Sequence, residues 1–145
     1  MEQLCYVIST YRLVKDDKRD FVYNAPLSVV DDFADSLPYA LTEAQRAAID
    51  GMISAMRSDK LVNMLVQGEV GCGKTAVAMC VMYYAAMSGY QAALMTPTEV
   101  LARQHYETMT RVLEPLGAKV QLLCASMSKL ERETAHFNIK YGAAS

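Results

Sequence analysis

Apolar positions follow two different rhythms along the chain, helical in its first sixty residues and strand-then-helix afterwards. Leu4, Val7, Ile8, Tyr11 and Val14 recur at helical spacing, which predicts an amphipathic N-terminal helix ending in the charged stretch 15–20. Residues 21–27 form a short extended segment interrupted by Asn24 and Pro26. Ser28 is placed to cap a short helix through Leu37, with Asp31 near its positive end, and Pro38 stops it. Thr42-Glu43-Ala44-Gln45 is a capping-box pattern opening a helix whose core face is Ile49, Met52, Ile53 and Met56.

After a polar break at 57–60 the pattern alternates. Residues 61–66, 91–95 and 120–125 are short, mostly apolar runs that predict strands. Between them lie an almost wholly apolar helix over 75–87, closed by Gly89, and a helix capped by Thr98 with the face Leu101, Ala102, His105, Met109 and Val112. Pro115 and Gly117 close that second helix. Ser128-Lys129-Leu130-Glu131 is another capping box and opens a last helix to about Tyr141. Strands separated by helices imply right-handed crossovers and a parallel sheet, so the expected class is α/β, with three parallel strands and flanking helices preceded by N-terminal helices. A helix apolar on all sides fits burial between the sheet and a further layer.

One turn in this frame carries chemistry. Gly68-Glu69-Val70-Gly71-Cys72-Gly73-Lys74-Thr75 matches G-x-x-x-x-G-K-[ST] and stands between a strand and a helix, where the mechanism of a phosphate-binding loop requires it. Its glycines let backbone N–H groups turn inward toward phosphate oxygens, and the helix that follows adds its positive dipole end. Lys74 is the candidate for the β- and γ-phosphates, and the Thr75 hydroxyl for Mg²⁺.

Composition changes this picture little. The chain has 145 residues, 52% hydrophobic and 21% charged, a globular balance suited to one small domain or part of a larger one. A net charge of −2 offers no global basic field for nucleic acid, although backbone amides and a few side chains can hold phosphates locally. Cys5, Cys72, Cys80 and Cys124 form no C-x-x-C pair, which argues against a zinc or redox motif and fits a reducing cytosol. The start carries charge too early for a signal peptide, and the longest apolar run, 76–87, is too short to span a bilayer. The expectation is a soluble, cytoplasmic protein with no membrane partner.

The neighbours of the loop choose among families. Leu37-Pro38-Tyr39, Leu41-Thr42 and Gln45 come first, followed by the run 65–75. Next come Ala92-Ala93-Leu94-Met95-Thr96-Pro97-Thr98-Glu99-Val100-Leu101-Ala102-Arg103-Gln104-His105, Leu113-Glu114-Pro115-Leu116-Gly117 and Leu122-Leu123-Cys124-Ala125-Ser126. In this order the segments resemble the RecG-type ATP-dependent DNA helicases of superfamily 2. The resemblance implies a partial RecA-like P-loop NTPase domain over 37–145, preceded by a helical linker over 1–36. It implies ATP and Mg²⁺ as cofactors. It also implies branched DNA, a stalled fork or Holliday junction, as the partner remodelled in repair and recombination. Gln45 would read adenine, with Tyr39 stacking on the ring; the alternatives are that Gln45 only completes its capping box and that Tyr39 is core. Pro97, Thr98 and Glu99 fall in the segment that grips the DNA backbone in such enzymes, and equally suit an ordinary capped helix. His105 lies on the apolar face and reads as core. Residues 122–126 match a second DNA-contacting segment, except that Cys124-Ala125 replace its usual Thr-Gly.

Hydrolysis in such motors needs an acidic DEQH-type box, and no Asp-Glu pair occurs here. The chain therefore reads as a portion truncated before that box, inactive as a helicase by itself and expecting a wedge domain and a second RecA-like domain elsewhere. The rival readings are a related translocase of the transcription-repair coupling or primosomal type and a non-catalytic nucleotide-binding module. A small-molecule kinase is disfavoured, since nothing after Thr75 suggests a lid or acceptor-binding arginines.

Overall fold

The structure, a computed structural model, describes residues 5–7 and 18–142. Its elements in chain order are β1 (Cys5–Val7), α1 (Ser28–Ser36), α2 (Glu43–Met56), β2 (Leu65–Gln67), α3 (Lys74–Met87), α4 (Glu99–Leu113) and α5 (Lys129–Lys140). A single 3₁₀ turn, Glu114–Leu116, follows α4.

The helices begin where the sequence signals them. Both capping boxes form: the Thr42 and Ser128 hydroxyls accept from the N3 amides of Gln45 and Glu131, whose side chains reach back to the cap amides. Thr98 caps α4 by accepting from the Leu101 amide. Helix α1 differs in detail, since Ser28 is its first residue and Leu27 stands at the cap with no side-chain bond. Gly89 and Gly117 adopt left-handed φ just beyond α3 and α4, the conformation that lets a helix end turn away without a Cβ penalty.

Helix α3 is the centre of the packing, with α1 and α2 laid against it. Val77, Cys80 and Tyr84 of α3 are fully buried with Phe33 of α1 and Ala48 and Ile49 of α2. Ile49, Met52, Ile53 and Met56 are all buried, as the helical spacing of α2 demands. Burial pushes the Cys80 thiol up to about 12, so that cysteine is an inert core residue. The chain ahead of α1 is tied to the far end of α3. The Ala25 carbonyl accepts from Tyr84 Oη at 2.9 Å and Arg57 Nη1 at 3.2 Å, while the Ala25 amide donates to Ser88 Oγ at 3.0 Å. Phe21, Tyr23 and Tyr90 pack ring against ring beside this anchor.

Two expectations change. Of the proposed N-terminal helix, Cys5–Val7 is a strand antiparallel to Leu65–Gln67, with Tyr6 opposite Val66; Leu4, Ile8, Tyr11 and Val14 lie outside the described residues. A ladder supplies backbone partners at once, whereas an isolated helix must first close a costly turn. Nor do three parallel strands form among the described residues. The one sheet is the two-stranded β1–β2 pair, and 91–95 and 120–125 enter no ladder. Both segments instead line a cavity of about 680 Å³ beneath α4. The apolar pattern there is real, but a strand's backbone partners come from distant chain, which periodicity cannot supply. Met95 is accordingly 92% exposed and Leu123 45%.

Because Phe33 fills the junction of α1 and α3 with no exposed surface, Phe33→Ala should cost about 3–5 kcal/mol of unfolding free energy in a urea titration. A loss below about 1 kcal/mol would mean that α1 is not part of the core.

Candidate functional site

The loop between β2 and α3 is shaped by where its polar groups go. Gly71 and Gly73 have φ of +84° and +81°, left-handed values that alternate with the ordinary backbone of Cys72 and turn successive amides toward one side. Cys72 N–H donates to the Glu69 carbonyl at 3.3 Å, and the amides of Ala76 and Val77 both donate to the Gly73 carbonyl. Among the described residues the amides of Gly71, Gly73, Lys74 and Thr75 find no acceptor. Those free donors, at the positive end of a 14-residue helix, form an anion cradle.

Lys74 closes this cradle on itself. Its ammonium donates to the Gly68 carbonyl at 2.8 Å and the Glu69 carbonyl at 2.6 Å, with Cys72 Sγ 3.6 Å away. Carbonyl oxygens are weak substitutes for anionic ones, so a phosphate entering the loop offers the ammonium a stronger partner. The Thr75 hydroxyl has no protein partner among the described residues, which leaves its oxygen free as a ligand for a hard cation. Val70 is fully exposed and Glu69 exposed at the loop tip, so these two contribute backbone.

Gln45 reaches the loop from α2. It is 5% exposed. Its Oε1 accepts from the Thr42 amide at 2.8 Å, and its Nε2 donates to the Cys72 carbonyl at 3.0 Å. One amide side chain thus completes the capping box and braces the loop, and still keeps one N–H and one lone pair. Gly73 permits this approach, since a Cβ there would stand 2.2 Å from Gln45 Nε2. Tyr39 is 51% exposed, which removes the core alternative for it. It lines a cleft of about 350 Å³ with Ala40, Thr42, Gln45 and Gly71, Cys72 and Gly73. The structure therefore brings Tyr39, Gln45 and the loop together. Pro97, Thr98 and Glu99 lie elsewhere, at the start of α4 on the rim of the larger cavity, where His105 is half-buried.

At that second place the Glu99 carboxylate binds the turn before α5. It accepts from the Ser126 hydroxyl, from the Ser126 amide at 3.2 Å, and from Arg103 Nε and Nη2 at 3.1 and 3.0 Å. The Ser126 hydroxyl first, and Arg103 next, hold the Glu99 carboxyl below its ordinary value. Arg103 lies outside the sequence-derived set, although its spacing of four from Glu99 on one helix face was a usable signal.

The family model for DEAD/DEAH box helicases matches residues 42–143, a span that includes Gln45, the loop and the start of α4. The chain is similar to the ATP-dependent DNA helicase RecG of Streptococcus pneumoniae serotype 4, 38% identical over 147 residues, covering 99% of this chain and 22% of that protein. The protein of the same name from Borreliella burgdorferi is 41% identical over 75% of this chain and 16% of its own length. That from Bacillus subtilis is 44% identical over 70% of this chain and 15% of its own length. The chain thus spans between 15% and 22% of the length of these relatives. No helix among the described residues is long and apolar enough to cross a membrane.

Two outcomes follow from the site's geometry. Gly73→Ala must leave the left-handed region or strain, and must push Gln45 off the loop; the expected cost is about 1–3 kcal/mol in thermal or urea unfolding, together with weaker phosphate binding. Wild-type stability in that variant would refute the close approach. The Glu99 contact has the acid-side sign. Its carboxyl is held below the ordinary 4.5, so the contact is complete above that value and is lost as pH falls through Glu99's own lower pKa. A carbon NMR titration of the Glu99 carboxyl should therefore show a midpoint below that of an exposed glutamate.

Proposed function

The chain belongs to the DEAD/DEAH box helicase family, and from that premise we propose that it forms the nucleotide-binding part of the first motor domain of a RecG-type DNA helicase. The observation that carries the reading is the convergence of Tyr39, Gln45 and the Gly71–Gly73 turn on one cleft. A purine base fits beside Tyr39, where the ring can stack, and the remaining N–H and lone pair of Gln45 can meet an adenine edge. The triphosphate then enters the cradle. The free amides of Gly71, Gly73, Lys74 and Thr75 hold its oxygens, the backbone of Gly68, Glu69, Val70 and Cys72 shapes the loop around them, and Lys74 exchanges carbonyl partners for the β- and γ-phosphates. When Mg²⁺ is bound, it neutralises phosphate charge, with the Thr75 hydroxyl as its protein ligand.

In the whole protein, residues 61–66, 91–95 and 120–125 are the parallel strands of a RecA-like sheet, with 37–145 the motor portion and 1–36 leading into it. Pro97, Thr98 and Glu99 form part of a DNA-gripping segment, supported by the capped N-terminus of α4, which is suited to a backbone phosphate. ATP hydrolysis between this lobe and a second one would drive remodelling of forks and junctions in the cytoplasm, with a wedge domain engaging the branch. The names of the RecG relatives, ATP-dependent DNA helicases, support DNA as the substrate.

The adenine reading is tested by titrating ATP and GTP against the chain and its Gln45→Glu and Lys74→Ala variants. Gln45→Glu keeps an acceptor for the Thr42 amide but loses the amide donors, so helix content should persist while ATP affinity falls about tenfold and the preference over GTP disappears. Lys74→Ala should weaken both nucleotides by at least about tenfold. An undiminished ATP preference in Gln45→Glu would remove adenine recognition from this residue.

A further inference from the structure

The start of α4 and the turn at 124–127 are 27 residues apart in sequence, yet they share one polar cluster. Both Glu99 oxygens are engaged: one by the Ser126 hydroxyl and the Arg103 fork, the other by the Ser126 amide. Arg103 Nη2 also donates to Ser126 Oγ at 2.9 Å and lies 3.5 Å from Cys124 Sγ. From the opposite side, Arg132 of α5 donates to the Ala125 carbonyl at 2.7 Å. Within the turn, the Met127 amide donates to the Cys124 carbonyl, and the Cys124 amide donates to Met127 Sδ at 3.3 Å.

We propose that Glu99, with Arg103, is a positioning residue that clasps the 124–127 turn to the first turn of α4, so that the start of α4 and this turn form one rigid face toward DNA. This rests on the DNA-binding reading of the preceding section. A free carboxylate beside Thr98 would repel a phosphate; one saturated by a guanidinium, a hydroxyl and an amide directs its charge inward and is spent on the turn. Such exposed contacts are individually weak, and a network of them fixes geometry more than it adds stability. The turn is held through the Ala125 carbonyl, the Ser126 amide and the Ser126 hydroxyl, and by the Cys124 and Met127 sulfurs, which accept from Arg103 and from the Cys124 amide.

The test compares the unsubstituted chain with Glu99→Ala, Ser126→Ala, the double variant and Glu107→Gln. The last removes the same charge from an exposed position of the same helix. Amide exchange at Ser126 is followed by NMR, and binding of fluorescent duplex and forked oligonucleotides is measured at one fixed salt concentration. Glu99→Ala should speed Ser126 exchange about tenfold while α3 protection is unchanged. It should also weaken DNA binding about five- to tenfold although it removes a negative charge, with the double variant no weaker than the worse single one. Glu107→Gln should leave binding equal or tighter. Tighter DNA binding by Glu99→Ala, or unchanged Ser126 exchange with intact DNA binding, overturns the clasp. An unsubstituted chain that binds no DNA overturns the DNA role and the reading beneath it, while faster Ser126 exchange would still identify the contact itself.

Discussion

Helix α3 has to meet two demands with one stretch of chain. Its first turn must keep amides bare, while its body must lose water on nearly every side. Buried Val77, Cys80 and Tyr84 fix the axis against α1 and α2, and that axis fixes where Lys74 and Thr75 begin. The cradle is therefore positioned by hydrophobic burial more than by contacts of its own, most of which are single hydrogen bonds within the loop. Its far end is held as well, because Tyr84, Arg57 and Ser88 fasten the chain ahead of α1 through Ala25. The loop end and the anchored end are the two ends of one helix.

Gln45 adds a second constraint. A residue chosen only to finish a capping box could be Glu as readily as Gln. The donor to the Cys72 carbonyl requires the amide, and the clearance for it requires Gly73 to lack a side chain. Two positions 28 apart in sequence thus limit each other's identity. This coupling makes the Gln45 side of the cleft and the loop one structure.

What the sequence discloses and what it withholds divides along a physical line. Features set within a few residues were legible: the caps at Thr42, Thr98 and Ser128, the buried face of α2, the glycine stops, and the loop itself with its lysine and threonine. Features that need a distant partner were not. The runs 91–95 and 120–125 have the right apolar pattern and no ladder, and Cys5–Val7 trades helical spacing for a place beside Leu65–Gln67. The same rule explains the site. Neither the reach of Gln45 to Cys72 nor the link from Glu99 to Ser126 has a local signature in the sequence.

Charge follows the same logic. A chain of net charge −2 would be a poor collector of polyanions if it depended on its overall field. Two helix starts offer oriented backbone instead, a bare one after Gly73 and a capped one at Thr98. Each is paired with a cation whose resting partners are internal: Lys74 on two carbonyls, Arg103 on Glu99. The difference lies in what those partners are. Carbonyls release an ammonium when phosphate arrives, whereas a carboxylate retains its guanidinium. The first arrangement leaves the ammonium able to change partners, and the second fixes the geometry of the turn that it holds.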